Sequence, residues 1–277
     1  MMERAVYRFY QNFLMAERLD EYDRLLRSLT ERGYTFLTIA DLARCVMANR
    51  LPELSCIIRV DVDSDIPTAR SMFEIGQASR VPATYYFRLS TIDQVLMRQI
   101  ANSGAEVGFH YEELATIAKR LGLRDRSQVD ERMADIRESF ATNLATFAAQ
   151  LGQWPMTIAS HGDWINRLLC IPNQYAINQV LRDRFGIIAE AYDGWLNAPV
   201  KGRFSDTDPP AWWKPCSPAA AISSRTSCLY FLVHPRQWHA NALENIRIDM
   251  TRIVEASRYT FRRALNDIGR RYARVAA

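Results

Sequence analysis

The chain has four histidines, and three of them close apolar segments of strand length: EVGF before His110, MTIAS before His161 and SCLYFLV before His234. A fourth such segment, SCIIRVDVD over 55–63, ends in Asp61-Val62-Asp63. Between them the apolar residues recur with helical spacing over about 68–79, 91–102, 126–151 and 174–185. Further strands fit PATYYFRL and GIIAEAY. Strand–helix alternation specifies a parallel sheet, because parallel neighbours need a crossover and a helix supplies it. In such folds the carboxyl ends of the strands form the site. The expectation is an α/β fold, an irregular (β/α) barrel of six to seven mainly parallel strands, with its polar strand ends converging.

The 277 residues suit one domain of this kind. Around the barrel the sequence adds an N-terminal helical extension over about 1–50 and a C-terminal basic helix over about 241–274. It also adds an insertion over about 195–224, where prolines, Gly202 and Trp212-Trp213 break the pattern. A loop that long inside a compact domain is usually functional or mobile.

Carboxylates at i and i+2 of a strand share a face, so Asp61 and Asp63 repel unless a cation lies between them. Each strand-end histidine alone is more often a structural hydrogen-bonding group than a ligand. Recurrence of Asp or His at four matching positions favours a shared metal. Asp and His ligands suit zinc and related divalent ions such as cobalt or nickel, with positions left open for water. The chemistry expected is hydrolysis of an amide or ester.

The ordered set RVDVD, PATYYF, GAEVGFH, SHG and HPRQW resembles the polysaccharide deacetylases, the NodB-homology group. It is most similar to their divergent branch in lipopolysaccharide and O-antigen biosynthesis. The resemblance runs from about Cys56 to Trp238. It implies one divalent ion, zinc first, held by Asp63 and His110, with Asp61 as general base and His234 as proton donor to the leaving amine. The group's second ligand histidine, four residues after the first, is Leu114 here, and His161 is the candidate replacement. Asp65 and Glu112 are weaker substitutes, each read rather as an exposed carboxylate. Asp193 and Trp195 in AYDGW resemble loosely the group's orienting Asp and apolar Trp. Arg59 and Arg88 are the candidates for the arginine that orients the base.

The implied function is removal of an N-acyl group, acetyl first, from an amino sugar in surface polysaccharide or O-antigen biosynthesis. The substrate is then an N-acylated sugar, nucleotide-linked or lipid-linked, with Arg88, Trp212 and Trp213 as candidate contacts. The alternative is a degenerate relative that holds metal or glycan without turnover. A metal phosphoesterase is a third reading, and it lacks the second bridging carboxylate–histidine set.

A net charge of +4 is too mild to imply nucleic acid. Five cysteines with no CxxC pair fit reduced thiols better than disulfides or a cysteine zinc site. Charges interrupt the first residues too early for a signal peptide, and no apolar run reaches the length of a membrane span, so a cytoplasmic location is expected. From Arg247 to Arg274 there are eight arginines and three acids. The apolar residues there, Ile246, Ile248, Ile253, Val254, Phe261, Leu265 and Ile268, are expected to pack on the barrel. Weak contact with a membrane surface is the alternative for this helix.

Overall fold

The computed structural model describes residues 6, 7 and 9–275, with side chains through residue 268. Residues 1–5 and 8 of the expected N-terminal extension, and the side chains of Arg270, Arg271 and Arg274, lie outside the described residues. The strands are β1 (Thr35–Leu37), β2 (Ser55–Val62), β3 (Thr84–Phe87), β4 (Glu106–Tyr111), β5 (Thr157–Ser160), β6 (Ala189–Glu190), β7 (Gly202–Asp206), β8 (Trp213–Lys214) and β9 (Cys228–Val233). The helices are α1 (Leu19–Glu31), α2 (Ile39–Met47), α3 (Ile66–Ala78), α4 (Gln94–Asn102), α5 (Glu113–Leu121), α6 (Arg126–Glu131), α7 (Met133–Leu151), α8 (Trp164–Leu169), α9 (Gln179–Phe185), α10 (Gly194–Asn197), α11 (Ala219–Ser223) and α12 (Ala242–Val275).

All described strands belong to one sheet of order β6-β5-β4-β3-β2-β9-β7-β8, with β1 pairing on β2 ahead of β3. Every pairing is parallel except β7 with β8. This is the α/β, mainly parallel architecture the alternation implies, with nine strands rather than six or seven. Among the described residues no pairing joins β6 to β8, so the sheet is open by hydrogen bonding.

Strand β2 is buried along its whole length, yet its two faces differ. Cys56, Ile58, Val60 and Val62 enter the large apolar cluster with Phe109, Phe140, Phe147 and Leu144, between sheet and helices. Ile57, Arg59 and Asp61 take the other face, the concave one, because side chains alternate along a strand. That inner face is polar as well as apolar: it also holds Thr84, Tyr86, Glu106, His110 and Thr157, all buried.

Three parts differ from the sequence reading. The N-terminal segment is woven into the fold: β1 joins the sheet, and α2 packs Leu42 and Ala43 against Ala189, Ala191 and Leu196 on the inner side. The Glu106 carboxylate anchors that helix, accepting from Ala40 N at 2.9 Å and from the hydroxyls of Thr84 and Thr157 at 2.8 and 2.6 Å. A buried carboxylate at a helix N-terminus satisfies amide donors that have no partner within the helix. The expected helix 126–151 is two helices joined at Arg132, whose φ of -108° leaves the helical range. The insertion 195–224 is not irregular throughout, since β7 pairs with β9 over Gly202↔Leu229 to Ser205↔Leu232.

Gly108 is needed for packing. A Cβ there would lie 2.2 Å from Tyr86 Cε1 and 2.9 Å from the Thr157 carbonyl oxygen. Tyr86 is fully buried and bonded to Thr157 at 2.7 Å, so it has little room to yield. Gly108→Ala is expected to destabilise the protein by about 1–3 kcal/mol, the range for overpacking. Denaturant unfolding measures this, and an unchanged midpoint would show that the Tyr86 ring is free to move.

Candidate active site

Register brings the polar strand ends to one level. Val60 lies opposite Val233, and Asp61 lies opposite Tyr86. Tyr86 lies opposite Gly108, and His110 lies opposite Ala159, with the His161 amide bonded to the Tyr111 carbonyl at 2.9 Å. Asp61, Asp63, His110, His161 and His234 therefore emerge at the carboxyl ends of β2, β4, β5 and β9, as parallel topology requires.

Asp61 is held by Arg59 from the same strand. Arg59 Nε and Nη2 donate to Oδ1 and Oδ2, both at 2.7 Å, and neither side chain is more than 3% exposed. The guanidinium lies 5.1 Å from the Tyr86 ring and 4.5 Å from the Tyr192 ring, and it donates to the Tyr192 hydroxyl at 3.2 Å. Burial alone would push the Asp61 carboxyl up. The Arg59 charge, followed by His110 and His234, holds it below the ordinary carboxylate value. Asp61 is thus an ionised acceptor fixed in direction.

Asp63 stands differently. Its Oδ1 is buried and makes no hydrogen bond, although it lies 3.2 Å from His110 Nε2 and 3.7 Å from His161 Nε2. The other nitrogen of His110, Nδ1, is 2.9 Å from the Ala159 carbonyl, which can only accept. That bond places a proton on Nδ1, so Nε2 is the nitrogen turned towards Asp63, and towards Asp61 Oδ2 at 3.3 Å, and it offers a lone pair there when the ring is neutral. His161 places Nδ1 3.1 Å from Glu112 Oε2 without a hydrogen bond and Nε2 3.7 Å from Asp63 Oδ1. Lone pairs aimed at a buried carboxylate need a positive centre among them. The donor set of one carboxylate and two imidazoles fits a divalent ion.

The surrounding carboxylates already have cations. Asp61 has Arg59. Glu112 is clasped by Arg88, with Nη2 2.8 Å from both oxygens. Asp163 accepts from Lys119 Nζ at 2.7 Å. Glu112, His161 and Asp163 also offer ligand atoms within 4.8 Å of one another. Their two carboxylates are matched by Arg88 and Lys119, whereas no Arg or Lys side chain is bonded to the Asp63 carboxylate.

His234 sits on the other side of Asp61. Its Nδ1 is 2.7 Å from Asp206 Oδ1, and its backbone amide donates to Oδ2 at 2.6 Å. Trp238 Nε1 donates to the same Oδ2 at 3.0 Å, which accounts for the burial of that indole. Burial would lower the His234 pKa, but the Asp206 charge and hydrogen bond, with Asp63 and Asp61 beyond, push it up to about 9. The imidazolium is then the resting form at neutral pH, as a proton donor requires.

Other candidate residues take other places. Leu114 is buried in an apolar cluster with Ile117, Ile136 and Ile165, and cannot act as a ligand. Glu112 and Asp65 are not exposed carboxylates: Glu112 faces His161 and Arg88, and Asp65 is buried as the cap of α3. Arg88 is held by Glu112 and the Asp63 carbonyl, so its charge already has a partner. Trp213 packs its edge against Phe231 and Trp238, and the Arg18 guanidinium covers Trp212 at 3.7 Å. Asp193 pairs with Arg182 at 2.6 and 2.7 Å, so Asp206 and not Asp193 orients His234. The sequence reading missed Asp206 and Tyr192, and it set Glu112 aside. An RVD triplet inside an apolar strand is the signal that would have chosen Arg59 over Arg88.

The sequence matches no protein-family model, and no curated protein matches it. Among solved structures it is similar to the Streptococcus pyogenes deacetylase PplD in complex with acetate, at 14% identity and a TM-score of 0.43, over 79% of this chain and 84% of that one. It is also similar to IcaB from Ammonifex degensii, at 16% identity and a TM-score of 0.42, over 61% and 72% of the two chains. A de-N-acetylase from Aggregatibacter actinomycetemcomitans aligns at 12% identity and a TM-score of 0.41, over 79% and 85%. At these scores the likenesses are distant and carry no function to this chain.

Asp206→Asn removes the largest upward influence on His234. In protein stripped of metal by a chelator, the His234 imidazole should titrate near 9 in the native chain and well below that in the variant. A histidine whose folded pKa is raised from 6.5 stabilises the fold most below that value, and loses this contribution as pH rises through about 9. The variant should lack that loss. Imidazole NMR against pH checks the first point, and a variant whose His234 still titrates near 9 would remove Asp206 from this role.

Proposed function

We propose that this protein is a metal-dependent hydrolase that removes an N-acyl group, acetyl first, from an amino sugar. The observation that carries the reading is the buried, cation-lacking Asp63 Oδ1 between His110 and His161, set beside an ionised Asp61 and a protonated His234. Asp63, His110 and His161 would hold the ion, and zinc or a related divalent metal suits those donors. Such an ion acidifies water and polarises an acyl carbonyl.

The chain's own groups supply the proton transfers. Asp61, immobilised by Arg59, accepts the proton of the attacking water. His234, kept charged by Asp206, gives a proton to the departing sugar nitrogen, which leaves as an amine rather than an amide anion. The two groups carry opposite charges at neutral pH and sit on neighbouring strands, so neither needs to move far between steps. Arg59 orients rather than reacts.

The choice of an amino sugar rests on the likeness of the strand-end motifs to those of polysaccharide deacetylases. The finer reading, a nucleotide- or lipid-linked sugar in surface polysaccharide or O-antigen biosynthesis, rests on the same likeness. A substrate panel of N-acetylated sugars in free, nucleotide-linked and lipid-linked form tests it by acetate release.

Two substitutions separate base from ligand. Purified protein should contain about one zinc-like ion per chain. Asp61→Asn is expected to lower turnover by on the order of 10² to 10⁴ while metal content stays near native. His161→Ala is expected to lose both. Elemental analysis with an acetate-release assay measures the pair. A folded native protein that takes up no divalent ion would sink the hydrolase reading.

A further inference from the structure

The C-terminal helix is amphipathic in the wrong sense for packing on the barrel. Its docked side carries few apolar side chains: Asn245, Tyr259 and Asn266 fall on one seven-residue line, and of these only Tyr259 enters an apolar cluster, beside Trp164 and Leu123. Asn245 Nδ2 donates to the Asn12 carbonyl at 3.2 Å, the Tyr259 hydroxyl to the Leu123 carbonyl at 2.9 Å, and Asn266 Nδ2 to the Leu121 carbonyl at 3.0 Å. Glu255 adds an ion pair with Lys119 at 2.7 Å. The opposite side carries the apolar residues on adjacent repeats: Leu243 and Met250; Ile246 and Ile253; Val254, Phe261 and Ile268. They are open to solvent, from 41% for Val254 to 65% for Phe261 and 83% for Leu243. Apart from half-buried Ile248, the stripe expected to pack on the barrel therefore faces away from it.

Two further observations say what covers the stripe. The segment around Asn12, tied to the first half of this helix, adds exposed Phe9, Phe13 and Leu14. A groove of about 630 Å³ runs beside the second half, with apolar walls from Phe261 and Leu265 and a rim of Arg120, Arg258 and Arg262. The nearby acids are matched: Glu255 by Lys119, and Asp267 by Arg124. Apolar side chains flanked by arginines complement a surface that is apolar inside and negatively charged outside. In an antiparallel pairing with a second copy, the arginine flank would face its own like charge. No helix among the described residues is long and apolar enough to cross a membrane.

We propose that the outward face of the C-terminal helix, with the Phe9–Leu14 segment beside it, is a docking site for a membrane surface rich in anionic phospholipid. The proposal goes beyond the hydrolase reading and does not depend on it. Vesicle flotation of the full chain tests it, with phosphatidylcholine vesicles containing or lacking phosphatidylglycerol. Binding to the anionic vesicles is expected, weakened by raising salt from about 0.1 M to about 0.5 M. The double substitutions Phe261→Glu/Leu265→Glu and Arg258→Glu/Arg262→Glu should each weaken it by at least about tenfold. All four residues are exposed, so circular dichroism should remain native. The Asp61→Asn protein should bind like the native chain, which keeps failure of docking distinct from failure of catalysis. The proposal is overturned if anionic vesicles are not bound, or if both double variants bind as well as native. A sedimentation shift from dimer to monomer in Phe261→Glu/Leu265→Glu, with vesicle binding intact, would also overturn it and assign the stripe to a second copy.

Discussion

The rest of the structure depends on a full charge pair placed inside a parallel sheet. Arg59 has no exposed surface, and its bidentate bond to Asp61 joins residues two apart on one strand. The strand itself fixes that geometry, so the carboxylate needs no distant element to aim it. Desolvating two ions is expensive, and removing one partner of such a pair commonly costs about 3–5 kcal/mol. The inner face is built to lower that cost. Tyr86 and Tyr192 put ring faces near the guanidinium, and Gly108 leaves the space Tyr86 occupies. A purely apolar inner face would have been simpler to pack. The pair makes sense as a device that keeps one carboxylate ionised, dry and immobile at the strand end.

Charge matching then singles out a different carboxylate. Asp61, Glu112 and Asp163 each pair with their own Arg or Lys, whereas the Asp63 carboxylate lies against two imidazoles and pairs with no Arg or Lys. The Ala159 carbonyl fixes a proton on His110 Nδ1, which leaves Nε2 as the nitrogen that faces Asp63. His234, on the far side of Asp61, has its charge sustained by Asp206 instead. Asp61 and His234 end the paired strands β2 and β9, about 4.8 Å apart, while His110 and His161 come from β4 and β5, beyond β3.

The strand ends were legible because period and punctuation are local. SCIIRVDVD and SCLYFLVH announce both the strand and the residue that ends it. Partners were not legible where they come from distant chain. Asp206 reaches His234 across 28 residues, from a strand whose sequence, GRFSD, is short and polar and lies amid prolines. Glu112 looked like a solvated carboxylate because it follows a strand end directly; only the fold brings Arg88 and His161 to it. Helix α5 escaped notice since it begins two residues after a strand, with no loop to mark it. The apolar stripe of α12 was visible, but periodicity gives a face and not the direction it points.

Leu114 brings these points together. Four residues after His110 would suit a second ligand only if α5 turned that position towards the strand ends. Here α5 buries Leu114 among Ile117, Ile136 and Ile165, where an imidazole would lose its solvation without gaining a partner. The same helix start is bonded to the segment after α8: Asn173 accepts from the Ala115 amide at 2.9 Å and donates to the His161 carbonyl at 2.6 Å. The residue that locks α5 in place thus also holds His161. A leucine in the core and a histidine at the strand end are two parts of one arrangement, in which the second imidazole is carried by the sheet rather than by a helix.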